Sequence, residues 1–210
     1  MVSAWSTKES LSLAWLGKIW VIPICIIGAL IVFKSFDYFQ PDFSGGFLIG
    51  KEVLFSGPYK WAFYTHIISA PIALFAGTIQ AFVRLEKKHP NAHKAFGFAF
   101  LSSVIIAAPS GFIMAFSAIG GWLSTLSFIL LSTLWFVFAL RGFWFIQRGL
   151  NRKHRQFMTR AYVLTLSAVF LRLWSFICVH NLDWHGDSMY IFIAWASWLP
   201  FLAIYEFSLI

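Results

Sequence analysis

The chain reads as an all-α polytopic membrane protein: a bundle of six transmembrane helices with both termini on the cytoplasmic side. Three observations predict this class. Of its 210 residues, 60% are hydrophobic, against about 45–50% in soluble domains. The apolar residues fall into six uniform runs, each near the roughly 20 residues needed to cross a bilayer. The charged residues, only 11% of the chain, gather between those runs. A water-soluble domain of this size keeps much of its surface wet and cannot hide so much apolar surface. Lipid is the natural solvent. Unpaired backbone groups are not tolerated there, so the runs are helices, and their uniform apolarity excludes the alternation of a membrane barrel. Six spans use up the chain, leaving one integral membrane domain over 1–210 and no separate soluble domain.

Span one is placed at about 13–33, with Lys18 near its cytoplasmic end, where a long ammonium side chain can snorkel. The N-terminus is polar and mixed and lacks a small-x-small cleavage site, so this run is a retained span rather than a removed signal peptide. Residues 34–60 form an outer loop. Its Gly, Pro and Asp residues argue against a membrane helix, and the aromatic residues of SGGFLIGKEVLFSGPYK imply packing at the interface. Spans two to six follow at about 61–83, 95–116, 122–146, 157–179 and 189–209. Pro23, Pro71, Pro109 and Pro200 fall within spans, where each can kink its helix and free a carbonyl. Cys25 and Cys178 lie in apolar stretches with no Cys-x-x-Cys, and read as small buried residues rather than a disulfide or metal pair.

Orientation comes from the loops. Lys8, Lys18 and the segments RLEKKHPNAHK and RGFWFIQRGLNRKHRQFMTR hold twelve of the 16 Lys and Arg residues. The other side holds Lys34, Lys51, Lys60 and Arg172, with five of the eight acids. The positive-inside rule puts the first group in the cytoplasm. It also accounts for the net charge of +8 without nucleic acid, which is excluded as a partner on that ground.

Chemistry has few places to start. Ionisable groups inside a membrane are costly and suggest function by default. Depth sorts the candidates. His66 lies about five residues into span two and Arg172 about fifteen into span five, a similar outer depth at ~1.5 Å per residue. His93 opens span three and His154 precedes span five, both at the cytoplasmic face with Gln80, Arg84, Arg160 and Glu206. One three-histidine metal centre is therefore excluded. The inner pair suits haem b, which takes two imidazoles from different helices. In that reading His93 and His154 ligate the iron. Gly97, on the same helical face as His93, lets a flat porphyrin approach, and Arg155 and Arg160 pair with its propionates. At the outer layer, with Arg172 nearby, His66 serves a second haem with His180 or hydrogen-bonds a quinone head group.

A structural reading stands beside each of these. Histidines in basic interfacial loops are ordinary. His66 can donate one hydrogen bond to a neighbouring helix, worth about 1 kcal/mol in a membrane. Arg172 can pair with Asp183 or Asp187, and Glu206 with Arg160. No span carries the two histidines of a di-haem bundle. His89 and His93 have the spacing of a metal pair, but Pro90 between them puts His89 outside the helix. The outer cluster HNLDWHGD, with His180, Asp183, His185 and Asp187, offers ligands for zinc, copper or iron without a specific spacing. No phosphate loop, nucleophile elbow or zinc-protease motif occurs, and no catalytic residue is assigned.

The segments THIISAPIALFAGTIQ, HPNAHKAFGFAF and KHRQFMTRAYVLTLSAVFLRLW, in this order, carry His66, Gly77, Gln80, His93, Gly97, His154, Arg155, Met158, Arg160 and Arg172. Over about Tyr59 to Glu206 the chain resembles a family of predicted bacterial membrane proteins catalogued as domain of unknown function 2306. The resemblance implies a multi-span protein integral to a bacterial cytoplasmic (inner) membrane. It brings no activity. The first span and the outer loop lie largely outside it.

The leading expectation is therefore haem b or quinone-linked electron transfer through a histidine–arginine network. The alternative is a non-catalytic subunit or assembly partner of a larger membrane complex. A small-solute transporter ranks third, because the halves show no internal repeat.

Overall fold

The computed structural model describes residues 21–209 apart from Gly45 and Arg84. The first part of the expected span one, with Lys8 and Lys18, and the inner-layer residue Arg84 lie outside the described residues. Among those residues every regular element is helical. They are α1 (Val21–Ser35), α2 (Glu52–Phe55), α3 (Pro58–Phe82), α4 (Leu85–Lys88), α5 (Pro90–Ala115), α6 (Gly121–Gln147), α7 (Asn151–Thr165), α8 (Ser167–Asn181), α9 (Asp187–Ala196) and α10 (Leu199–Phe207). Single 3₁₀ turns at Phe36–Phe39 and Gly46–Leu48 complete the set. Helices α7 and α8 join at Leu166 into one span, and α9 and α10 form another, so six stretches are long and apolar enough to cross a membrane.

The expected spans are all present, with shifted ends. Span two begins at Pro58 and span three at Pro90, earlier than expected. Proline at a first helical position gives up an amide that has no helical partner anyway, so it starts a helix cheaply. Span five runs from Asn151 to Asn181, which puts His154 inside the helix rather than before it. Its polar first turns extend beyond the apolar run. The outer loop 34–60 is more ordered than its composition implied. Leu48, Phe55, Tyr59 and Phe63 form a second buried cluster, with Tyr38, Phe43, Phe47 and Tyr64 packed against it. Tyr64 ties the loop to α3 by donating to the Tyr38 carbonyl at 2.9 Å.

The main core lies where α3, α5, α6 and α7 cross, and small residues dominate it: Ala73, Ala76, Ala107, Ala108, Ala139 and Ala161 are all buried. Small residues let helix backbones approach, which is how helices associate when lipid removes the hydrophobic drive. Gly77 is the extreme case. A Cβ there would lie 2.7 Å from the Tyr162 ring and 2.9 Å from Phe100. The outward faces carry large exposed apolar residues such as Trp61, Phe98, Trp122 and Ile204, as a lipid-facing surface requires.

The two composite spans break for identifiable reasons. At the end of α7, Thr165 donates to the Ala161 carbonyl and accepts from the Trp135 indole, both at 2.9 Å. Hydroxyl back-bonding of this kind bends helices. Between α9 and α10, Pro200 has no amide to give. The Trp198 amide turns to Trp195 O. Ala194 O accepts instead from the hydroxyls of Ser127 and Ser197, and Ser127 in turn accepts from the Trp198 indole at 2.9 Å.

Candidate functional site

Polar side chains gather at two ends of the bundle. One is the loop end, under residues 36–57. The other is the basic end, where α3 meets α5 and α6 meets α7. They differ in how completely the protein satisfies its own polar groups.

At the loop end, His66 on α3 reaches across to α5. Its Nδ1 lies 2.9 Å from Ala107 O. A carbonyl only accepts, so Nδ1 carries the hydrogen, and in the neutral ring Nε2 is left with its lone pair. The Nδ1–Cε1 edge also packs on Gly111, where a Cβ would come within 3.2 Å of both atoms. Arg172 on α8 donates to Ala168 O at 2.9 Å in its own helix. Its other donors make no hydrogen bond or ion pair to the described residues. Arg172 is itself exposed. Tyr38, Tyr190 and His66 lie within electrostatic reach of it, and Tyr59 within reach of both of those tyrosines.

Lys51 adds a cation nearby, in the loop. It is only 5% exposed. Its Nζ sits 3.5 Å from the Phe47 ring centroid and donates to Tyr59 Oη at 3.4 Å. No carboxylate pairs with it among the described residues, and burial pulls its ammonium down to about 8 from the ordinary 10.5. The loop end thus carries Lys51, Arg172, His66 and the tyrosines Tyr38, Tyr59 and Tyr190.

The expected partners of this region are placed elsewhere. His180 is exposed near the end of α8 against the Phe176 ring, 4.6 Å between centroids. It lies eight residues beyond Arg172, about 12 Å along the helix, and shares no hydrogen bond with His66 among the described residues. Asp183 pairs with His185 at 3.5 Å instead of with Arg172. Among the described residues, no group of three His, Cys, Asp or Glu side chains could hold a metal ion.

At the basic end, the arginine and the histidine nearest the helix crossings have partners within the protein. Arg160 and Glu206 form the expected ion pair, bidentate, with Nη2 to Oε2 at 2.8 Å. The Arg160 guanidinium also lies 4.8 Å from the Phe157 ring centroid. It is therefore engaged without a propionate. His154 Nδ1 donates to Gly142 O at 2.8 Å. Gly142 is small because Met158 packs on it, with sulfur 2.5 Å from where a Cβ would be. Gly97 faces the Gln80 amide, 3.4 Å from its own missing Cβ, and that amide donates to the His93 carbonyl. The face proposed for a porphyrin is therefore filled by Gln80. Two buried atoms at this crossing, Gln80 Oε1 and His93 Nδ1, have no partner among the described residues. Arg155 is exposed and makes no ion pair there.

Residues 63–209, well over half of the chain, match a family model described as predicted membrane protein, domain of unknown function 2306. The chain belongs to this family. No curated protein and no solved structure matches it. The geometry explains several residues that carried the resemblance to domain of unknown function 2306. Gly77, Gly97 and Met158 set helix crossings, while Gln80, Arg160 and His154 tie helices together. Arg172 and the free edge of His66 have no such structural use. Sequence reasoning missed Tyr38, Tyr59, Tyr190 and Lys51. The available signal was the presence of tyrosines near Lys51 and Arg172 at the loop end.

Proposed function

We propose that the protein binds a quinone or quinol head group beside Arg172 and His66 at the loop end and serves quinone-linked electron transfer in its membrane, the electrons passing to or from a partner redox protein that carries its own redox centre. One observation carries the reading: Arg172, within a membrane-spanning helix, is exposed and has no carboxylate bound to it among the described residues. An unpaired guanidinium within a membrane span is costly unless something answers it. A quinone carbonyl accepts from such a donor, and tyrosine hydroxyls supply further donors. His66 supplies the complementary function. With Nδ1 held by Ala107 O, its Nε2 can accept the hydroxyl proton of a quinol. Lipid surrounds the bundle, which suits a ligand with an apolar tail.

The reading takes no haem at the inner pair, because Gln80 fills the Gly97 face and Glu206 already holds Arg160. It places the basic end on the cytoplasmic side of an inner membrane, supported by the Lys and Arg residues concentrated there. The test is titration of purified protein with short-tailed benzoquinone and naphthoquinone analogues, followed by tryptophan quenching or calorimetry. Saturable binding that weakens in Arg172→Gln and Tyr190→Phe is expected. No binding to the wild type, or equal binding to Arg172→Gln, overturns the reading. A Soret band lost in His93→Ala or His154→Ala would restore haem.

A further inference from the structure

The basic end carries an unexplained arginine on a lipid-facing surface. Val137, Leu140 and Trp144 on α6 are 36%, 37% and 44% exposed, and with Arg141 and Arg148 they recur at helical spacing along one face. Both arginines are exposed. Neither makes a side-chain hydrogen bond or ion pair to the described residues. Arg148 lies over the Trp144 ring, 4.2 Å from its centroid. Its place is accounted for by the end of α6, where a cation meets the helix dipole favourably. Arg141 has no such account. It lies seven residues deeper, about 10 Å along the axis, among side chains that face lipid.

A charge at that depth needs a counter-ion, and the described residues offer none. Glu206 is held by Arg160, and the exposed Glu86 lies on a different element, α4. An arginine fork matches phosphate oxygens bidentately. Tryptophan sits naturally at headgroup level, with its ring already oriented by Arg148. We infer that Arg141, Trp144 and Arg148 form a binding site for the phosphate headgroup of an anionic phospholipid in the leaflet at the basic end. Its acyl chains lie along Val137 and Leu140. The site is independent of the quinone site proposed at the opposite end.

Native mass spectrometry tests this. Protein in neutral detergent is offered equal phosphatidylglycerol and phosphatidylcholine. The wild type is expected to retain phosphatidylglycerol preferentially. Each arginine removed should cut that preference about fivefold, so Arg141→Gln with Arg148→Gln should nearly abolish it. Lys88→Gln with Lys94→Gln, at the same end but off this face, should leave it intact. Three results overturn the site: an undiminished preference in the arginine pair, an equal loss in the lysine pair, or displacement of the lipid by millimolar inorganic phosphate. If the glutamine pair fails to fold, Trp144→Phe replaces it. Quenching by brominated phosphatidylglycerol must then fall relative to the wild type, and unchanged quenching overturns the proposal.

Discussion

The two polar ends of this bundle are built from similar residues and reach opposite states. Each has a histidine whose Nδ1 donates to a backbone carbonyl on another helix, His66 to Ala107 and His154 to Gly142. Each has an arginine near the membrane interior. At the basic end the arginine finds Glu206 and the glycine faces are filled by Gln80 and Met158. At the loop end Arg172 is exposed, with Tyr38 and Tyr190 within electrostatic reach and no carboxylate bound to it among the described residues. Histidine and arginine identity therefore says little by itself. What distinguishes a site from a strut is whether the protein answers its own charge.

The sharpest way to break the contrast is Arg172→Gln. If Arg172 binds a quinone through a charge-assisted hydrogen bond, worth about 1.5–3 kcal/mol, affinity should fall by about tenfold or more. Thermal unfolding should barely change, because Arg172 holds only a carbonyl in its own helix. Loss of fold rather than of binding would make Arg172 a strut like Arg160. The complementary variant is Gly77→Val, which forces a side chain into Tyr162 and Phe100. Overpacking of this order costs about 1–3 kcal/mol, read as a lower unfolding temperature. It should weaken quinone binding only as far as it disturbs the helix crossings.

Much of this was legible in the sequence, and the part that was not has physical reasons. Six spans follow from run lengths, whereas His154, expected before span five, lies inside it because the polar first turns of α7 continue the helix. The Arg160–Glu206 pair was readable because both residues lie at one depth in a region poor in other acids. The contact beside Gly97 was not legible because glycine announces that something comes close without saying what. Here it is Gln80, on the neighbouring helix. The ordered loop was underestimated for a related reason. Gly and Pro residues break membrane helices, yet Phe47, Phe55 and Phe63 gain a packed cluster once Tyr64 ties the chain to α3.

Lys51 sharpens the comparison in a smaller and pH-dependent way. Burial lowers its folded-state value to about 8, against 10.5 for the exposed group. Below about pH 8 both states hold the proton, and the folded state bears the full cost of a buried charge. Between 8 and 10.5 the folded protein releases the proton while the unfolded chain keeps it, so stability rises with pH across that window. Melting curves in detergent should show the rise. Lys51→Met should raise stability at neutral pH and flatten the profile. A wild-type profile that falls over the same window would mean that an unseen acid answers Lys51, and would weaken the picture of a donor-rich loop end.

The smallest effect belongs to the pair that looks strongest. Glu206 is 42% exposed and Arg160 15%, so solvent screens their bidentate contact. Exposed ion pairs contribute about 0.2–1 kcal/mol. Glu206→Gln keeps the side chain's shape and one acceptor, and Arg160 retains the Phe157 ring. Stability should therefore fall by no more than about 1 kcal/mol, and quinone affinity should not move at all. Equal losses of ligand affinity from Glu206→Gln and Arg172→Gln would show that the two ends are coupled through the bundle. The contrast between an answered and an unanswered charge would then no longer locate the site.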